Sequence, residues 1–551
     1  MFVDRRLWES FSLAGLLLGT LFFAFSLTPS LLPRSALIQG IVSGLSLTAG
    51  YAVGVIAHAI WRYLEMPAPG PRIQRVLKIG AAAVCLLTAA LFLWKASRWQ
   101  DSIRVLMGIE PVEGIRPFTI ALITLLLFGV LLLLARLFRR TYELISIPLS
   151  RFVPRRVSYV IGVLAATALF WSVMDGVLFR YGLRAADLSF QQVDALIEAD
   201  TEQPRDPMRT GSQQSLLDWT SLGRAGREFV SSAPTAAELS KYFDEETVAP
   251  IRVYVGLNSA ESVAQRARLA LEELKRVGAF ERSVLIIATP TGTGWVDPGA
   301  MTVEYLHRGD IASVAVQYSY LASALALLLE PEHGAETAEV LFAEVYGYWT
   351  RLPPDRRPAL YLHGLSLGAL HSDGSFDIYD VVGDVFNGAL WSGPPFRSET
   401  WRSVTDRRVP DSPAWLPRFR DSSVIRFTDQ QDRLDIPGAS WGPLRIAFLQ
   451  YASDPITFFE SRMVYRAPAW MSPPRGPDVS PELRWIPIVT TLQVVADMRA
   501  GDITPPGHGH NYAPEHYIDA WVALTEPPGW TEEDTRRLKS LFASRDKARS
   551  D

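Results

Sequence analysis

Apolar residues dominate the first 180 positions of the chain and fall into five long runs. A helix that crosses the hydrocarbon core of a bilayer needs about 20 predominantly apolar residues, and most of the runs reach that length. No small-x-small cleavage site follows the first run, which favours a retained helix over a signal peptide. The pattern predicts a multi-pass, all-α transmembrane domain over residues 1–181 with about five helices. The runs cover residues 11–32, 37–61, 79–94, 117–137 and 157–178.

Arginine and lysine residues are unevenly distributed between the two sides of these runs. The N-terminus and the segments on its side carry twelve, whereas the opposite segments carry seven. Basic residues accumulate on the cytoplasmic side of membrane proteins. Five crossings from a cytoplasmic N-terminus therefore predict an inner (plasma) membrane protein whose chain beyond residue 180 is extracytoplasmic, in the periplasm. A change of one crossing would invert this orientation.

The second half of the chain alternates between short apolar strands and amphipathic helices. Residues 182–250 are polar and mixed, and they predict a connector. Apolar strands separated by helices are typical of a parallel sheet covered on both faces. The pattern predicts a doubly wound, mostly parallel α/β domain over residues 251–551. Predicted strands cover residues 251–257, 284–288, 313–317, 359–363, 388–391 and 446–451, and predicted helices cover 259–277, 321–329, 335–348 and 514–524.

Charge and cysteine content argue against several function classes. The net charge of −4 gives no global basic field, and no nucleic-acid-binding motif is present, so no nucleic-acid partner is expected. The single cysteine, Cys85, excludes an intramolecular disulfide and a multi-cysteine metal site. We expect no metal and no other cofactor. The expected partners are the lipid bilayer and a small-molecule or lipid substrate.

The segment Gly364-Leu365-Ser366-Leu367-Gly368 matches the pattern G-x-S-x-G. It follows a predicted strand directly and precedes residues that can begin a helix. In α/β-hydrolases this context places a nucleophilic serine on a strained strand-to-helix turn. The flanking glycines let neighbouring backbone approach without a Cβ clash. The pattern is weak by itself, but its position after a buried strand predicts an α/β-hydrolase domain with Ser366 as the nucleophile.

A serine nucleophile requires a base, which in α/β-hydrolases is a histidine that follows the serine and the acid along the chain. His371 lies on the helix after the serine and is expected to point away, and His516 is expected on a helix surface. His510 is the first choice, because it lies closer to the last predicted helix. Asn511 and Tyr512, which follow it, provide side chains that anchor the loop end. His508 stays open as the alternative.

The acid is expected at a strand end between the serine and the histidine. Asp454 follows the predicted strand at 446–451. It would accept a hydrogen bond from the imidazole, fix its tautomer and stabilise the imidazolium. Asp429, Asp432 and Asp435 are alternatives in a polar, loop-like stretch, where a surface charge is the simpler interpretation for each.

An oxyanion hole needs two backbone N–H groups directed at the developing charge. One is expected from Leu367, the residue after the nucleophile. The other is expected from the loop after the strand at 284–288, at Thr291 or Gly292. The Thr-Gly-Thr-Gly run in this loop lacks the Gly-Lys-Ser/Thr ending of a phosphate-binding loop, so no nucleotide binding is predicted.

Several segments of the chain resemble a membrane-anchored α/β-hydrolase family with a characteristic multi-pass N-terminal region, alpha/beta-hydrolase family 9. The resemblance implies a serine-hydrolase-like catalytic domain, and it carries over Ser366, Asp454 and the loop with His508 and His510. One departure concerns the last strand, because residues 486–498 fit a helix as well as a strand. The resembling segments are residues 26–34 (SLTPSLLPR), 290–298 (PTGTGWVDP), 317–320 (QYSY), 364–368 (GLSLG) and 507–510 (GHGH).

These features together predict an integral-membrane serine hydrolase of the esterase or lipase type. Acyl or lipid esters delivered from the bilayer are the expected substrates. The same residues would catalyse acyl transfer if water were excluded and an alcohol acceptor admitted. A non-catalytic membrane sensor or scaffold is the third interpretation, and the complete Ser, Asp and His set argues against it.

Overall fold

A computed structural model describes residues 11–67, 70–111, 117–173, 194, 202–321, 331–501 and 504–550. The chain divides into two compact units. The first comprises Met1–Ala185 together with the later segments Phe459–Ser472 and Pro477–Pro505, and the second comprises Ala186–Phe458, Pro473–Gly476 and Pro506–Asp551. The first unit thus includes two segments from the predicted catalytic range, and the second includes the described part of the predicted connector.

The bounds of the helices and strands are as follows. The α-helices are α1 Leu13–Ser26, α2 Ala36–Tyr63, α3 Pro71–Leu106, α4 Pro117–Leu149, α5 Arg155–Val173, α6 Gly223–Ser231, α7 Ala236–Phe243, α8 Val263–Arg276, α9 Val303–Leu306, α10 Pro331–Trp349, α11 Leu367–Asp373, α12 Ile378–Val381, α13 Glu399–Asp406, α14 Val489–Met498, α15 Pro514–Thr525 and α16 Glu532–Ser550. The strands are β1 Ile251–Val255, β2 Val284–Thr289, β3 Ile311–Val316, β4 Ala359–Leu365, β5 Gly388–Ser392, β6 Ile425–Thr428 and β7 Arg445–Leu449. The predicted helix at 321–329 lies almost entirely outside the described residues.

Among the described residues, three helices are long and apolar enough to cross a membrane, namely α2, α3 and α4. They correspond to the second, third and fourth apolar runs, and α3 extends well beyond its run in both directions. Helix α1 has 14 residues and is too short to cross alone. Helix α5 ends the described part of the fifth run at Val173. The count of five spans stays a prediction.

The first apolar run does not form one helix to residue 32, contrary to the prediction. Helix α1 ends at Ser26, and the chain continues as an irregular segment. Pro29 and Pro33 lack a backbone N–H, and each disfavours helical backbone in the residue before it. The apolar residues of this segment serve packing instead, since Leu31 and Leu32 are completely buried.

Glycines allow α1 and α2 to pack closely. A Cβ built on Gly50 would lie 2.5 Å from the carbonyl oxygen of Leu18, and one built on Gly54 would lie 2.4 Å from that of Ala14. Small residues permit such close backbone approach between helices in membrane proteins. The contact between these two helices therefore depends on the absence of a side chain at both positions.

Helix α14 belongs to the first unit. Residues 486–498 fitted either a strand or a helix from the sequence, and most of them form this helix. Its residue Asp497 accepts a hydrogen bond from Nε of Arg34 at 2.7 Å, and both side chains are fully buried. Asp497 also accepts hydrogen bonds from the backbone N–H of Leu31 at 3.0 Å and from the hydroxyl of Ser30 at 3.2 Å. The irregular segment after α1 is thereby fastened to α14.

The second unit contains a seven-stranded sheet with the order β1-β3-β2-β4-β5-β7-β6. Every strand pairing in this sheet is parallel. Five of the strands are buried along their whole length, and β4 and β7 have only their first residue partly exposed, as expected when helices cover both faces. The predicted doubly wound parallel α/β domain is confirmed.

Strand β6 was not predicted; its four residues, IRFT, form the shortest of the seven strands. The side chain of Arg426 is buried. It donates hydrogen bonds to the carbonyl oxygens of Ser422 at 2.8 Å and Ala439 at 3.0 Å. Its guanidinium also lies 3.9 Å from the ring centroid of Trp441. These partners lower the free-energy cost of burying the charge. No local pattern in the sequence predicts them.

The central strands β2, β4, β5 and β7 are consecutive neighbours in the sheet. Because they are parallel, their carboxyl ends lie at one edge, and the segments that follow them meet there. Open α/β sheets bind their ligands at this edge. The candidate site lies in these segments.

Candidate active site

Ser366 occupies a sharp turn between β4 and α11. Its backbone has φ +57° and ψ −123°, which is a strained conformation for a residue with a Cβ. Its N–H donates a hydrogen bond to the carbonyl oxygen of Ser392 at the end of β5, at 3.0 Å. The turn is the strand-to-helix context that the G-x-S-x-G pattern requires.

The two glycines of the motif are required by close backbone contacts. A Cβ on Gly364 would lie 2.3 Å from the carbonyl carbon of Gly368. A Cβ on Gly368 would lie 2.2 Å from the carbonyl oxygen of Thr289, the last residue of β2. The turn can therefore pack against the start of the loop after β2 only if both positions lack a side chain.

Substitution of Gly368 by alanine is expected to destabilise the second unit by about 1–3 kcal/mol, because a backbone oxygen cannot move away as a flexible side chain would. Hydrolysis of a p-nitrophenyl ester and the thermal melting of the purified protein measure the effect. Gly374→Ala is the control, since its nearest atom would be the carbonyl oxygen of Leu370 at 3.6 Å, an ordinary contact. Equal behaviour of the two variants would contradict this account of the turn.

Asp454 and His510 form a direct hydrogen bond. Nδ1 of His510 lies 2.7 Å from Oδ2 of Asp454. Asp454 follows β7, is fully buried, and also accepts a hydrogen bond from the backbone N–H of Ile456 at 2.8 Å. A carboxylate held in this way fixes the tautomer of the imidazole and leaves Nε2 as the atom for proton transfer.

The end of β5 brings His510 close to the serine turn. Gly393 follows Ser392, whose carbonyl oxygen accepts the hydrogen bond from the N–H of Ser366. A Cβ built on Gly393 would lie 2.6 Å from Cε1 of His510. The structure therefore places the hydrogen-bonded pair of His510 and Asp454 beside the end of β5, the strand whose last residue accepts the hydrogen bond from Ser366.

His508 and His516 lie beside this arrangement and have different partners. The backbone of His508 pairs with Asn511 in a tight turn. Nδ1 of His516 lies 2.6 Å from the hydroxyl of Tyr451, and burial lowers the pKa of His516 to about 4. The expectation that His516 lies on a helix surface is wrong, because its face of α15 packs on the segment after β7.

Two further histidines near the motif are buried in the protein interior. The ring of His371 lies against Gly334 of α10 and contacts the ring of Tyr318 edge to face, at 5.3 Å between centroids. Nδ1 of His363 lies 2.9 Å from the carbonyl oxygen of Leu390. Burial lowers the pKa of both imidazoles to about 4, so they are neutral at physiological pH.

The alternative acids divide into one buried and two exposed residues. Asp432 and Asp435 are exposed, as expected for surface charges. Asp429 is buried, and the interpretation of this residue as a surface charge is wrong. It directly follows the unpredicted strand β6, and its Oδ1 accepts a hydrogen bond from the N–H of Gln431 at 2.9 Å.

The loop after β2 forms a tight turn that uses one of the expected oxyanion donors. The N–H of Thr291 donates to the carbonyl oxygen of Trp295, and the N–H of Gly294 donates to that of Thr291, both at 2.9 Å. Thr291 is therefore not a donor to substrate in this conformation. Leu367 is the first residue of α11, where an N–H has no partner within the helix. Leu367 stays a candidate donor, and the expectation for Gly292 stays a prediction.

Sequence reasoning missed two residues of the site. Gly393 has φ +50° and contacts the imidazole; a glycine directly after a buried strand was the available signal. Tyr512 was expected only to anchor the loop, yet its hydroxyl donates a hydrogen bond to Oδ2 of Asp454 at 2.8 Å. No spacing along the chain reports that contact, because 58 positions separate the two residues.

The described residues contain no group of three or more His, Cys, Asp or Glu side chains that could hold a metal ion. A cavity of about 810 Å³ lies in the second unit, beside β6, β7, α15 and α16. Its lining includes Arg426, Trp441 and Arg445 but no residue of the candidate site.

The chain belongs to an alpha/beta-hydrolase family, whose model matches residues 251–538. A second model, for the N-terminus of an alpha/beta-hydrolase family, matches residues 27–234. The resemblance inferred from the sequence motifs is thereby confirmed, and so is the fold class, a helical N-terminal region followed by a parallel α/β-hydrolase domain. Family membership supports a hydrolase.

Two solved structures are similar over part of the chain. One is described as RedJ with a PEG molecule bound in the active site; it has 17% identity and a TM-score of 0.16, and the match covers 31% of this chain and 79% of that one. The other comes from work on LipS and LipT, two metagenome-derived lipolytic enzymes; it has 12% identity and a TM-score of 0.17, with 31% and 86% covered. These TM-scores are too low to carry an argument. No curated protein matches the chain.

Proposed function

We propose that the protein is an integral-membrane serine hydrolase that cleaves ester bonds with Ser366 as nucleophile, His510 as base and Asp454 as acid. The observation that carries the proposal is the 2.7 Å hydrogen bond between His510 and Asp454, formed beside the peptide that holds the Ser366 turn. Such a nucleophile, base and orienting acid define acyl-transfer chemistry by geometry and role.

The proposed reaction proceeds through an acyl-enzyme. Oγ of Ser366 attacks the ester carbonyl while Nε2 of His510 accepts the hydroxyl proton, and Asp454 stabilises the resulting imidazolium. The N–H group of Leu367 would stabilise the oxyanion, together with a second backbone donor from the loop after β2. His510 then gives its proton to the leaving alcohol, and a water molecule repeats the sequence on the acyl-enzyme to release the carboxylic acid.

Exposed apolar side chains on the membrane-domain helices support a location in the bilayer. Leu86, Leu87 and Leu133 are about two-thirds or more exposed, on helices long enough to cross. Burying such surface in lipid is favourable, whereas exposing it to water is not. An enzyme anchored in this way has direct access to acyl or lipid esters, which we propose as the substrate class.

Labelling with a fluorophosphonate probe in isolated membranes tests the nucleophile. We expect the wild-type protein to be labelled, because the probe reacts with an activated serine, and Ser366→Ala to lose the label completely. Ser375→Ala is the control; its hydroxyl donates to the carbonyl oxygen of Ser372 near the end of the same helix, so labelling is retained. An unlabelled wild-type protein would favour the non-catalytic scaffold.

Product analysis with an added alcohol distinguishes hydrolysis from acyl transfer.

The same labelling addresses the orientation. Twelve basic residues on the N-terminal side against seven on the other support an extracytoplasmic catalytic domain. A membrane-impermeant fluorophosphonate should then label Ser366 in intact spheroplasts, while sealed inside-out vesicles should need a permeant probe. The reverse pattern would place the domain in the cytoplasm.

A further inference from the structure

We propose that Tyr512 is a positioning residue that shares the acid with the base and sets how strongly Asp454 attracts the protonated imidazole of His510. This inference rests on the proposed function, because it concerns the same Ser366, His510 and Asp454. It assigns a role to a tyrosine that neither the motif nor the three reacting residues include.

The contacts of Asp454 carry the argument. Its Oδ2 accepts hydrogen bonds from Nδ1 of His510 at 2.7 Å, from the hydroxyl of Tyr512 at 2.8 Å and, less closely, from the hydroxyl of Thr457 at 3.2 Å. The tyrosine and the histidine therefore bind the same oxygen at nearly the same distance. A hydrogen bond from the tyrosine reduces the negative charge density on this oxygen, and this weakens the electrostatic attraction between Asp454 and the imidazole.

The hydroxyl of Tyr512 is held in place by its ring. The ring stacks on that of Tyr451, with 4.5 Å between centroids and 18° between planes, and it meets the ring of His510 edge to face at 5.8 Å. A Cβ built on Gly393 would also lie 2.8 Å from Cε2 of Tyr512. The side chain is buried, so the ring cannot swing away from Asp454 without opening this cluster.

The tyrosine acts as a neutral donor throughout the working range of an esterase. Burial and then the nearby charge of Asp454 raise the pKa of Tyr512 well above its ordinary value. A neutral hydroxyl on a carboxylate oxygen disperses the negative charge, which weakens the stabilisation of the imidazolium. Loss of the hydroxyl should therefore increase the proton affinity of His510, so that the base becomes available only at higher pH.

Other ionisable groups lie on the elements around His510, and their titration could also affect the measured pH profile. His508 lies on the same loop, Tyr451 lies just after β7, and His516 and Tyr517 lie on α15. Burial lowers the pKa of His516 to about 4 and raises that of Tyr517 well above its ordinary value, so neither changes charge between pH 5 and 8.

Two acids complete these surroundings. Asp297 accepts a hydrogen bond from the hydroxyl of Tyr517 at 3.0 Å. Asp429 lies beside Gln430, whose Nε2 donates to the carbonyl oxygen of Gly507 in the histidine loop at 3.1 Å. His508 lies two positions from His510 in the same loop, so the measurement is repeated in a His508→Gln background.

The pH dependence of kcat/KM for a p-nitrophenyl ester, measured on the full-length protein in detergent, tests the proposal. For Tyr512→Phe we expect the acidic limb to move up by roughly 0.5–1 pH unit, the change that one hydrogen bond to a carboxylate produces. Tyr451→Phe is the matched control. It removes a buried hydroxyl from the same ring stack, but that hydroxyl contacts His516 and the N–H of Ala513 rather than Asp454.

A second variant keeps the proposal open to refutation if Tyr512→Phe does not fold. Thr457→Val removes the longer hydrogen bond to the same Oδ2 and should move the limb in the same direction by a smaller amount. If both variants fold, unchanged acidic limbs in both would overturn the role of Tyr512; if only Thr457→Val folds, an unchanged limb in that variant would overturn it. An equal shift in Tyr451→Phe would overturn it as well. A wild-type protein that neither binds fluorophosphonate nor hydrolyses the ester would instead refute the proposed function, so the two failures are distinguishable.

Discussion

His510→Ala is expected to be as inactive as Ser366→Ala, with ester hydrolysis reduced on the order of 10⁴–10⁶-fold in either variant. The reason is the bond between Nδ1 of His510 and Oδ2 of Asp454, which leaves the opposite ring nitrogen for the serine proton. Members of such a set act as a unit, so the double variant should be no less active than either single variant. Initial rates with purified protein measure all three.

His508→Ala is the matched control for this prediction. His508 lies two positions away in the same glycine-interleaved loop, but its backbone forms the turn with Asn511. We expect it to lose only about 10–100-fold, as a supporting residue does. If His508→Ala were inactive while His510→Ala retained turnover, the assignment of the base would be reversed; turnover in both variants would place the base elsewhere.

Asp497→Ala is expected to destabilise the first unit by about 3–5 kcal/mol, since it leaves the guanidinium of Arg34 buried without its counter-charge. Both side chains of the pair are fully buried. Burial raises the pKa of Asp497 although the charge of Arg34 opposes the shift, so desolvation of this carboxylate is costly. Thermal melting of the detergent-solubilised protein, and protease resistance of the N-terminal region, report the loss.

The double variant Arg34→Met with Asp497→Ala isolates the charge. Both it and Asp497→Ala remove the acceptor for the backbone N–H of Leu31, but only the single variant retains an uncompensated cation. The double variant should therefore be more stable than Asp497→Ala alone. Trp99→Phe is the control, because its bond to Glu482 in the same unit is exposed and contributes little. A double variant less stable than the single one would contradict this reading of the pair.

The sequence predicted those features that depend on local pattern. Apolar runs of helical length predicted α2, α3 and α4, the three described helices that are long and apolar enough to cross a membrane. Short buried strands alternating with helices predicted the parallel sheet, and all six predicted strands are present. The turn at Ser366 was predictable for the same reason. A serine between a strand and a helix, with a glycine two residues to either side, is a local arrangement.

Tertiary structure decided the features that depend on contacts between distant positions. The short strand β6 was not predicted, and the acceptors that stabilise its buried Arg426 are brought together only by folding. The leucines after α1 read as part of a membrane helix, yet they are buried in an irregular segment that is fastened to α14. The burial of His516 and the use of the Thr291 N–H within its own turn are of the same kind.

The choice between His508 and His510 shows the division most directly. Both histidines have glycine neighbours and the same intrinsic chemistry, so the sequence determined that one imidazole of this loop was the candidate base. Only the folded chain distinguishes them, because the contact with Asp454 spans 56 positions and depends on how the loop before α15 lies against the end of β7. The third partner of that carboxylate, Tyr512, was determined in the same way. A hydrogen bond is fixed by a distance in space, and local sequence reports such distances only along a helix, a strand or a turn.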